Sequence, residues 1–548
     1  MKIALAQIDT KVGDIRGNIE KIADYAARAG RLGAELVVFP EQALGGYPAL
    51  DLWEDPGFIE ANERGLKTLA RLQGPALLVG LVKRNPRRTG KPILNAAALL
   101  YRNRVAALRS KSLLPTYDVF DETRYFEPAR DNPPVRFKGL RIGISVCEDA
   151  WARETFGERQ LYTRDPIGEQ VRSGVDLLIN LSASPFSRGK NAARARLLRR
   201  QARRARKPLL YCNLVGGNDE IIFDGASLAF DGRGRVVARA RAFAEDLLIF
   251  DSEAKPKPVP SSVDDPTQEV AEALVLGLRD YVRKCGFERV FIGLSGGIDS
   301  AVVATLAARA LGPESVTGVL MPSPYTSQDS VDDASALAAN LGIRALTLPI
   351  NGIFDSYLRT LAEAFAGRSQ DVTEQNLQAR IRGSLLMALS NKEGGMVLAT
   401  GNKSELSAGY CTLYGDMCGG LAPLADAPKG TVYELARWLN RERPLIPERS
   451  ISRAPTAELK PDQKDQDDLP PYEVLDRILT SYIEERLDPG RIAARGHNPK
   501  LVAEMIRRID FAEYKRRQAP PSLKISPKAF GVGRRMPLAR GAYHAADV

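Results

Sequence analysis

The positions of apolar residues divide the chain into short apolar runs separated by segments with helical periodicity, the alternation typical of α/β proteins. In the first half, the apolar run 3–8 precedes a segment in which Ile15, Ile19 and Ile22 recur on one helical face. This half is therefore predicted as a mixed α/β layer structure. Further strands are predicted at 36–39, 76–82, 141–146, 176–181 and 209–213, with a hairpin at 226–239.

The second half also alternates strands and helices. An apolar run at 289–294 leads through a glycine-rich loop into a helix-like segment at 301–310. Later runs at 316–321, 345–348 and 396–400 have helical segments between them. This order predicts a doubly wound parallel sheet that binds ligands at the carboxyl ends of its strands.

Two further segments interrupt the α/β pattern. The stretch 252–262 is rich in proline and serine and is typical of a stiff connector. We predict a first domain over residues 1–252, a linker over 253–268 and a second domain over 269–548. The charged, proline-rich segment 448–471 has little to bury, so it is predicted to be a mobile loop that either closes over a substrate or is a surface excursion.

The composition excludes several classes of protein. The 548 residues are 44% hydrophobic and 26% charged, and no apolar run approaches the roughly 18 residues of a membrane span. We therefore expect a soluble, cytoplasmic protein without a membrane partner. Five cysteines without a C-x-x-C pair argue against a disulfide framework and a zinc ribbon. The two histidines, His497 and His544, lie in no motif, so a histidine-activated nucleophile is not expected.

The net charge of +11 points to polyanionic partners. The basic run 199–207 lies on helix-like sequence with no interleaved aromatic residues. It favours a solvated or oligomer-facing surface over a nucleic-acid stripe. Phosphorylated small molecules are therefore the expected partners, and nucleic acid is not.

The loop 295–300 has the chemistry of an anion site. Its glycines let the backbone approach a ligand, and the free N–H groups of the following helical turn suit a phosphate. No Gly-Lys-Ser/Thr ends the loop, so it is not a Walker-type loop. The carboxylate of Asp299 would repel phosphates unless a divalent cation lay between them. A pyrophosphate and magnesium site is the functional interpretation, and a plain glycine-rich turn is the structural alternative.

The string 293–301, Gly-Leu-Ser-Gly-Gly-Ile-Asp-Ser-Ala, resembles the signature of the ATP pyrophosphatases. That resemblance implies an adenine nucleotide alpha hydrolase-like fold for the second domain, with ATP and Mg²⁺ bound at the loop. The implied ATP-binding residues of the loop are Gly293, Leu294, Ser295, Gly296, Gly297, Ile298, Asp299 and Ser300.

Three residues of the first half form a possible nucleophilic site without histidine. Cys147 and Glu41 each follow a predicted strand, and Lys111 lies in Lys-Ser-Leu-Leu-Pro. A thiol with a pKa of about 8.5 needs a nearby cation or base to react at neutral pH. Glu41 could take the thiol proton while Lys111 stabilises an oxyanion. From spacing alone, a buried structural cysteine is the more common explanation.

The strings Phe-Pro-Glu41, Lys111-x-x-Leu-Pro and Cys147-Glu-Asp resemble, in this order, the motifs of the nitrilase, or carbon-nitrogen hydrolase, superfamily. The resemblance covers almost all of residues 1–250 and implies an αββα sandwich with Glu41, Lys111 and Cys147 as catalytic residues. The other cysteines, which lie outside the motifs, are expected to be core or supporting residues: Cys212, Cys285, Cys411 and Cys418.

An amidase joined to an ATP pyrophosphatase resembles the glutamine-dependent NAD synthetase family. Strings at 373–380, 399–405, 409–416 and 514–519 support this resemblance. It implies that L-glutamine supplies ammonia, that ATP adenylates deamido-NAD, and that the enzyme is a homo-oligomer, a dimer or larger. The further site residues it implies are Tyr117, Ser184 and Lys190 for glutamine, Thr400 for ATP, Asn376, Glu405 and Lys515 for deamido-NAD, and Asp299 with Glu405 for Mg²⁺.

Some positions keep a second explanation. Lys190 stands where relatives carry arginine. Lysine cannot bind a carboxylate through two parallel hydrogen bonds as arginine does, so this contact is weaker. Glu405 could be only a helix-start carboxylate, and Arg380 and Arg382 could form ordinary salt bridges rather than face phosphate. One rival function is a tRNA-modifying ATP pyrophosphatase, but this sequence contains no RNA-binding motif. The other is an amidase with an inactive ATP domain, and the intact Asp299 and Glu405 argue against it.

Overall fold

The computed structural model describes residues 1–156, 159–255, 257, 259 and 265–541. The chain divides into two compact units, Met1–Asp264 and Asp265–Val548. Of the predicted linker 253–268, residues 256, 258 and 260–264 lie outside the described residues, and the helix Pro266–Lys284 begins within its last part. No helix among the described residues is long and apolar enough to cross a membrane.

The first unit contains two six-stranded sheets packed face to face. In spatial order, the strands of one sheet are Asp246–Asp251, Lys2–Gln7, Leu36–Val38, Ala76–Arg84, Ile93–Tyr101 and Arg104–Ser110. Those of the other are Val236–Arg239, Leu228–Phe230, Leu209–Asn213, Leu177–Ser182, Leu140–Val146 and Val135–Phe137.

Helices cover the outer face of each sheet. Along the strand Lys2–Gln7, Ile3 and Leu5 pack between the sheets, whereas Ala4 and Ala6 face the helices. Because both faces of this strand are buried, its sequence is apolar rather than alternating. The predicted αββα sandwich is therefore confirmed. The helices of this unit are Ile15–Arg31, Pro56–Ala70, Glu122–Tyr125, Pro166–Arg172 and Lys190–Ala205.

The second unit is built on a four-stranded parallel sheet. Its spatial order is Arg344–Thr347, Val316–Leu320, Val290–Gly293 and Met396–Leu398. The strand order reverses between the last two strands, and such a switch point opens a crevice at the strand ends. The predicted doubly wound parallel sheet is confirmed, and the crevice lies beside the glycine-rich loop.

Helices complete the second unit. Asp265 caps the first of them by accepting a hydrogen bond from the N–H of Thr267, and a proline at the first helical position suits this start. The helices are Pro266–Lys284, Ile298–Leu311, Gln328–Leu341, Asn351–Leu361, Val372–Glu393, Lys403–Ala408, Lys429–Leu439, Glu448–Ser452, Tyr472–Leu479, Pro489–Ala493, Pro499–Phe511 and Glu513–Arg516.

The segment 448–471 differs from its prediction. It begins with the helix Glu448–Ser452 and buries Ile451, Asp465 and Leu469. The hydroxyl of Ser450 donates to the carbonyl of Gly296 at 2.8 Å. The expectation that this segment buries little is wrong, because Leu469 packs into an apolar cluster and the Ser450 hydroxyl holds the segment against the glycine-rich loop.

The cysteines correct a second expectation. All five are free thiols. The four cysteines other than Cys147 are expected from the sequence to be core or supporting residues: Cys212 is buried, whereas Cys285 is exposed, which excludes the core alternative for it. Cys411 and Cys418 line the crevice of the second unit.

Candidate active sites

Cys147 lies on a sharp turn at the end of a central strand. It follows the strand Leu140–Val146, which runs parallel to Leu177–Ser182. Its backbone φ of 41° is in the left-handed region, which is uncommon for a residue with a side chain. Cys147 is buried. A rigid strand followed by a strained turn holds the thiol in one place, as a nucleophile requires.

Asp149 joins the segment that carries Cys147 to the segment that carries Lys111. Its Oδ1 accepts the N–H groups of Ser112 and Leu113, each at 2.9 Å. Its Oδ2 accepts the N–H of Val146 at 3.1 Å. Burial raises the pKa of Asp149 to about 6, and these N–H groups oppose that rise. One carboxylate therefore fixes the segment of Cys147 against the segment of Lys111.

Lys111 lies between two buried glutamates. Its Nζ is 2.8 Å from Oε1 of Glu41 and 2.7 Å from Oε1 of Glu122. The Nδ2 of Asn95 donates to Oε1 of Glu41 at 2.7 Å, and the N–H of Ala183 donates to Oε2 at 2.9 Å. Glu41 therefore has a fixed orientation, and Glu122 is a member of the site that the sequence motifs did not indicate.

The charges of this network keep the thiol protonated at rest. Burial and the carboxylate of Glu41 raise the pKa of Cys147, and Lys111 opposes them only in part. Burial would lower the pKa of Lys111, yet Glu122 and Glu41 raise it well above its usual range. Lys111 is thus a fixed cation, and the thiol could act as a nucleophile only if a base removed its proton.

Glu148 presents a further buried carboxylate, directly after Cys147 in the chain. The hydroxyls of Tyr117 and Tyr162 each donate to Oε1 of Glu148 at 2.9 Å. Burial raises the pKa of Glu148, while Lys111, the two hydroxyls and Lys190 oppose that rise. A carboxylate held by neutral donors keeps its charge available for a cationic group of a ligand.

The residues predicted to contact glutamine lie near the carboxylates of Glu148 and Glu41. Tyr117 and Lys190 both act on Glu148. Ser184 is buried and directly follows Ala183, whose N–H binds Glu41. The predicted catalytic and glutamine-contacting residues therefore belong to the first unit.

The glycine-rich loop of the second unit connects the strand Val290–Gly293 to the helix Ile298–Leu311. Gly296 has a φ of 80°, and a Cβ added there would lie 2.4 Å from the carbonyl oxygen of Ser330. Only glycine fits this position. The N–H of Gly297 donates to the hydroxyl of Ser295 at 3.2 Å. The loop is therefore a tight, preformed turn.

A cavity of about 550 Å³ opens at this loop. Gly296 and Ser300, although predicted to bind ATP, are not among the described residues that line this cavity, and Ser300 instead donates to the carbonyl of Gly297 at 3.0 Å. The segment 453–459 forms part of the cavity wall. The predicted residues that line the cavity are Gly293, Leu294, Ser295, Gly297, Ile298, Asp299, Asn376, Thr400, Glu405 and Lys515.

Lys429 lies between the two carboxylates that were predicted to hold a metal. Its Nζ is 2.5 Å from Oδ2 of Asp299 and 3.1 Å from Oε1 of Glu405. Burial raises the pKa of Glu405, and Lys429 opposes that rise. Glu405 also accepts the N–H of Asn402, so it caps its helix and faces the cavity at the same time.

The Asp299 and Glu405 carboxylates fit a shared magnesium ion. They converge on a single positive charge, that of Lys429. Mg²⁺ is usually held by one or two carboxylates together with phosphate oxygens and water. Across the described ranges, no three His, Cys, Asp or Glu side chains converge to form a complete metal cage. The pair therefore suits an ion that a phosphorylated ligand also binds.

Asn376 and Lys515 both form hydrogen bonds with the segment 409–412. Oδ1 of Asn376 accepts the hydroxyl of Thr412 at 2.7 Å. Lys515 donates to the carbonyl oxygens of Gly409 and Cys411, each at 2.8 Å. These two predicted contacts with deamido-NAD thus lie together on the cavity wall.

Arg382 and Arg380 donate to backbone carbonyl groups rather than forming the ordinary salt bridges considered above. Arg382 lines the cavity and donates to the carbonyl of Met321 at 3.0 Å. Arg380 donates to the carbonyl of Leu413 at 3.2 Å. Burial lowers the pKa of Arg382 to about 10, with Glu458 opposing. Arg382 is a cation of the cavity wall.

Sequence reasoning missed Glu122 and Lys429, and it gave no role to Asp149, which lies in the quoted string Cys147-Glu-Asp. Glu122 is 11 residues from Lys111, and Lys429 is 130 residues from Asp299. Neither residue stands in a glycine-rich or strand-end string. The fold alone brings them to the sites, and no local signal in the sequence marks them.

Residues 2–254 match the carbon-nitrogen hydrolase family, and residues 270–519 match the NAD synthase family. The two units therefore define a carbon-nitrogen hydrolase joined to an NAD synthase. The glutamine-dependent NAD(+) synthetases of Synechocystis sp. and Thermotoga maritima are 46% and 42% identical, and the alignments cover 99% and 98% of both chains. The chain belongs to the glutamine-dependent NAD(+) synthetases, which are ATP-dependent ligases with amidotransferase activity.

A solved structure agrees over the same length. The glutamine-dependent NAD+ synthetase of Acinetobacter baumannii, in complex with ADP, is 39% identical, with a TM-score of 0.78 and 98% of each chain covered. The family resemblance and the fold class expected from the sequence are confirmed.

Proposed function

We propose that this chain makes NAD from deamido-NAD, ATP and glutamine. The first unit hydrolyses glutamine and releases ammonia. The second adenylates the nicotinate carboxylate of deamido-NAD with release of pyrophosphate, and ammonia then displaces AMP. The observation that carries the proposal is the buried Glu41–Lys111–Glu122 network beside Cys147, in a chain whose other unit holds the Asp299–Lys429–Glu405 cluster.

In the glutaminase reaction, Glu41 takes the thiol proton as Cys147 attacks the amide carbon. Lys111 then stabilises the oxyanion, and Glu41 returns the proton to the leaving ammonia. Lys111 keeps its charge throughout because Glu41 and Glu122 raise its pKa. Water hydrolyses the resulting thioester to give glutamate.

Glutamine is held by both of its α-substituents. Its ammonium group requires an anion, which Glu148 supplies, oriented by Tyr117. Its carboxylate requires a cation, which Lys190 supplies as a point charge rather than a bidentate fork. Ser184 lies beside the residue that fixes Glu41 and contacts the substrate close to the reacting amide.

In the synthetase reaction, the loop 295–300 holds the pyrophosphate end of ATP, and Thr400 contacts the adenosine. Asp299 and Glu405 would hold Mg²⁺, which neutralises the charge that develops on the pyrophosphate. Lys429 and Arg382 offer two further cations to phosphate oxygens. Asn376 and Lys515, together with Glu405, contact deamido-NAD.

Isotope transfer tests this function. The chain is incubated with deamido-NAD, ATP, MgCl₂ and glutamine labelled with ¹⁵N at its amide, and the products are analysed by mass spectrometry. We expect equal amounts of NAD, AMP, pyrophosphate and glutamate, with the label in the carboxamide of NAD. A protein that forms no NAD with either glutamine or ammonium chloride would refute the proposal.

Substitution Glu122→Gln is expected to impair glutamine use alone. It leaves Lys111 with one carboxylate and breaks a buried ion pair, so kcat/KM for glutamine should fall by roughly 10²- to 10³-fold, the cost of removing one partner of a buried ion pair. NAD formation with ammonium chloride should persist. The exposed Glu60→Gln is the control for loss of a carboxylate, and an unchanged glutaminase rate in Glu122→Gln would contradict the role.

Substitution Lys190→Met is expected to weaken glutamine binding. Loss of one charged contact with the α-carboxylate should raise KM for glutamine by roughly 10- to 100-fold and leave kcat within a few-fold. Initial rates over a glutamine series measure both constants, and Lys67→Met, an exposed lysine of the same unit, is the control. A fall in kcat with KM unchanged would instead place Lys190 away from the carboxylate.

Two further properties remain part of the proposal. We assign the glutaminase domain to residues 1–252, the linker to 253–268 and the synthetase domain to 269–548. We also expect a homo-oligomer of two or more chains. Light scattering after size-exclusion chromatography measures the oligomeric mass directly.

A further inference from the structure

The helix Lys429–Leu439 is capped by residues from other helices rather than by the residue that precedes it. That residue is Pro428, and a proline side chain has no group that could accept a hydrogen bond from the helix. The first N–H groups of a helix have no partner within it, so they need acceptors from elsewhere. Ser404 and Asp476 supply these acceptors.

Ser404 and Asp476 form one connected set of hydrogen bonds at this helix start. Oγ of Ser404 accepts the N–H of Lys429 at 2.9 Å and donates to Oδ1 of Asp476. The other carboxylate oxygen, Oδ2, accepts the N–H of Gly430 at 2.9 Å. Burial raises the pKa of Asp476, and Ser404 and Gly430 oppose that rise. A carboxylate at the positive end of a helix is a favourable arrangement.

Each of these two residues lies on a helix that also reaches the side chain of Lys429. Ser404 directly precedes Glu405 in its helix, and Oε1 of Glu405 is 3.1 Å from Nζ of Lys429. Asp476 lies one helical turn after Tyr472, whose ring centroid is 5.1 Å from the same Nζ. Residues one turn apart share a face of a helix. The same two helices therefore hold both the backbone and the ammonium group of Lys429.

This double hold matters because a lysine side chain is long and flexible. Nζ of Lys429 lies between the carboxylates of Asp299 and Glu405. A cation stabilises the charge of a transition state best when it is already in place before the reaction. A displaced helix start would carry Lys429 away from the place where the pyrophosphate is proposed to bind.

We propose that Ser404 and Asp476 are positioning residues of the synthetase reaction, an inference that rests on the proposed function. Neither is among the described residues that line the cavity. They fix the start of the Lys429 helix relative to the helix of Glu405, so that the ammonium group meets the pyrophosphate in one place. Loss of either residue should therefore impair adenylation through Lys429.

The variants Ser404→Ala and Asp476→Ala keep every side chain that lines the cavity. Exchange of labelled pyrophosphate into ATP, measured with deamido-NAD and without ammonia, reports adenylation. The maximal exchange rate should fall by roughly 10-fold in Ser404→Ala and by up to about 100-fold in Asp476→Ala, the range for a small misplacement of a catalytic group. KM for deamido-NAD should be unchanged, because Asn376 and Lys515 bind a different segment.

A double-mutant cycle with Lys429→Met separates positioning from a general structural role. Substitutions that act through one group are not additive, so neither variant should cause a further loss of exchange in Lys429→Met. A loss that adds to that of Lys429→Met would overturn the proposal, and so would wild-type exchange in both single variants. If Asp476→Ala does not fold, as judged by circular dichroism, Ser404→Ala decides, because it removes a single oxygen atom.

The matched control is Asp265→Ala, which also removes a carboxylate that caps a helix of this unit. Asp265 accepts the N–H of Thr267 at 2.9 Å, and the described residues of its helix, Pro266–Lys284, do not line the cavity. Its exchange rate should equal that of the wild type. A comparable loss in Asp265→Ala would trace the effect to helix capping in general and overturn the proposal. Absence of exchange in the wild type would instead refute the proposed function.

Discussion

The variant Cys147→Ala should make no NAD with glutamine and make it at the wild-type rate with ammonium chloride. Removing the nucleophile of a covalent mechanism costs roughly 10⁶-fold, because neither Glu41 nor Lys111 can form the thioester. The second unit has its own compact fold and its own cavity, so its chemistry does not depend on the thiol. Steady-state NAD formation with each nitrogen source measures the two outcomes.

The control for this experiment is Cys212→Ala. Cys212 is also buried in the first unit, and its thiol lies against the carbonyls of Ala6 and Val38 rather than the Glu41–Lys111 pair. We expect this variant to use both nitrogen sources. Retention of glutamine-dependent activity by Cys147→Ala would remove Cys147 as the nucleophile, whereas loss of both activities would mean that the substitution disturbs more than the glutaminase site.

The variant Asp299→Asn should lose NAD formation with both nitrogen sources. Oδ2 of Asp299 lies 2.5 Å from Nζ of Lys429, and Oδ1 accepts a hydrogen bond from Nδ2 of Asn402 at 2.8 Å. An amide keeps the size of the side chain but removes the charge that would hold Mg²⁺. We expect a fall of roughly 10²- to 10³-fold in kcat, the range for loss of one preorganised electrostatic contact.

Assays at saturating ATP over a series of MgCl₂ concentrations measure this effect, because a weakened metal site shifts the requirement to higher concentrations. Asp355→Asn, an exposed aspartate of the same unit, is the control for loss of a carboxylate. Wild-type activity in Asp299→Asn at low MgCl₂ would show that Asp299 serves only to anchor Lys429.

The sequence predicts the strands of both sheets well because each central strand is buried on two faces and is apolar throughout. The predicted strand 209–213 matches Leu209–Asn213, and 141–146 matches Leu140–Val146. Strand-end motifs also led to Cys147, Glu41 and Asp299, because chemistry at a sheet edge leaves polar residues directly after an apolar run.

Other parts of the sites were beyond local reasoning. Glu122 and Lys429 form ion pairs with Lys111 and Asp299, which are 11 and 130 residues away in the chain. Each of the two also stands at the start of a helix, where a charged residue has many structural explanations. The segment 448–471 was mispredicted for a related reason: hydrogen bonds such as that from Ser450 to Gly296 fix it, and hydrogen bonding between distant segments leaves no trace in hydropathy.

Lys429 has a consequence for the order in which ligands arrive. Its single charge compensates part of the charge of Asp299 and Glu405, so on the proposed function this pair would attract a free divalent ion less strongly than two bare carboxylates would. A bound nucleotide would bring phosphate oxygens that Lys429 could contact in place of the two carboxylates. On the proposed function, Lys429 would therefore favour uptake of the metal as its nucleotide complex.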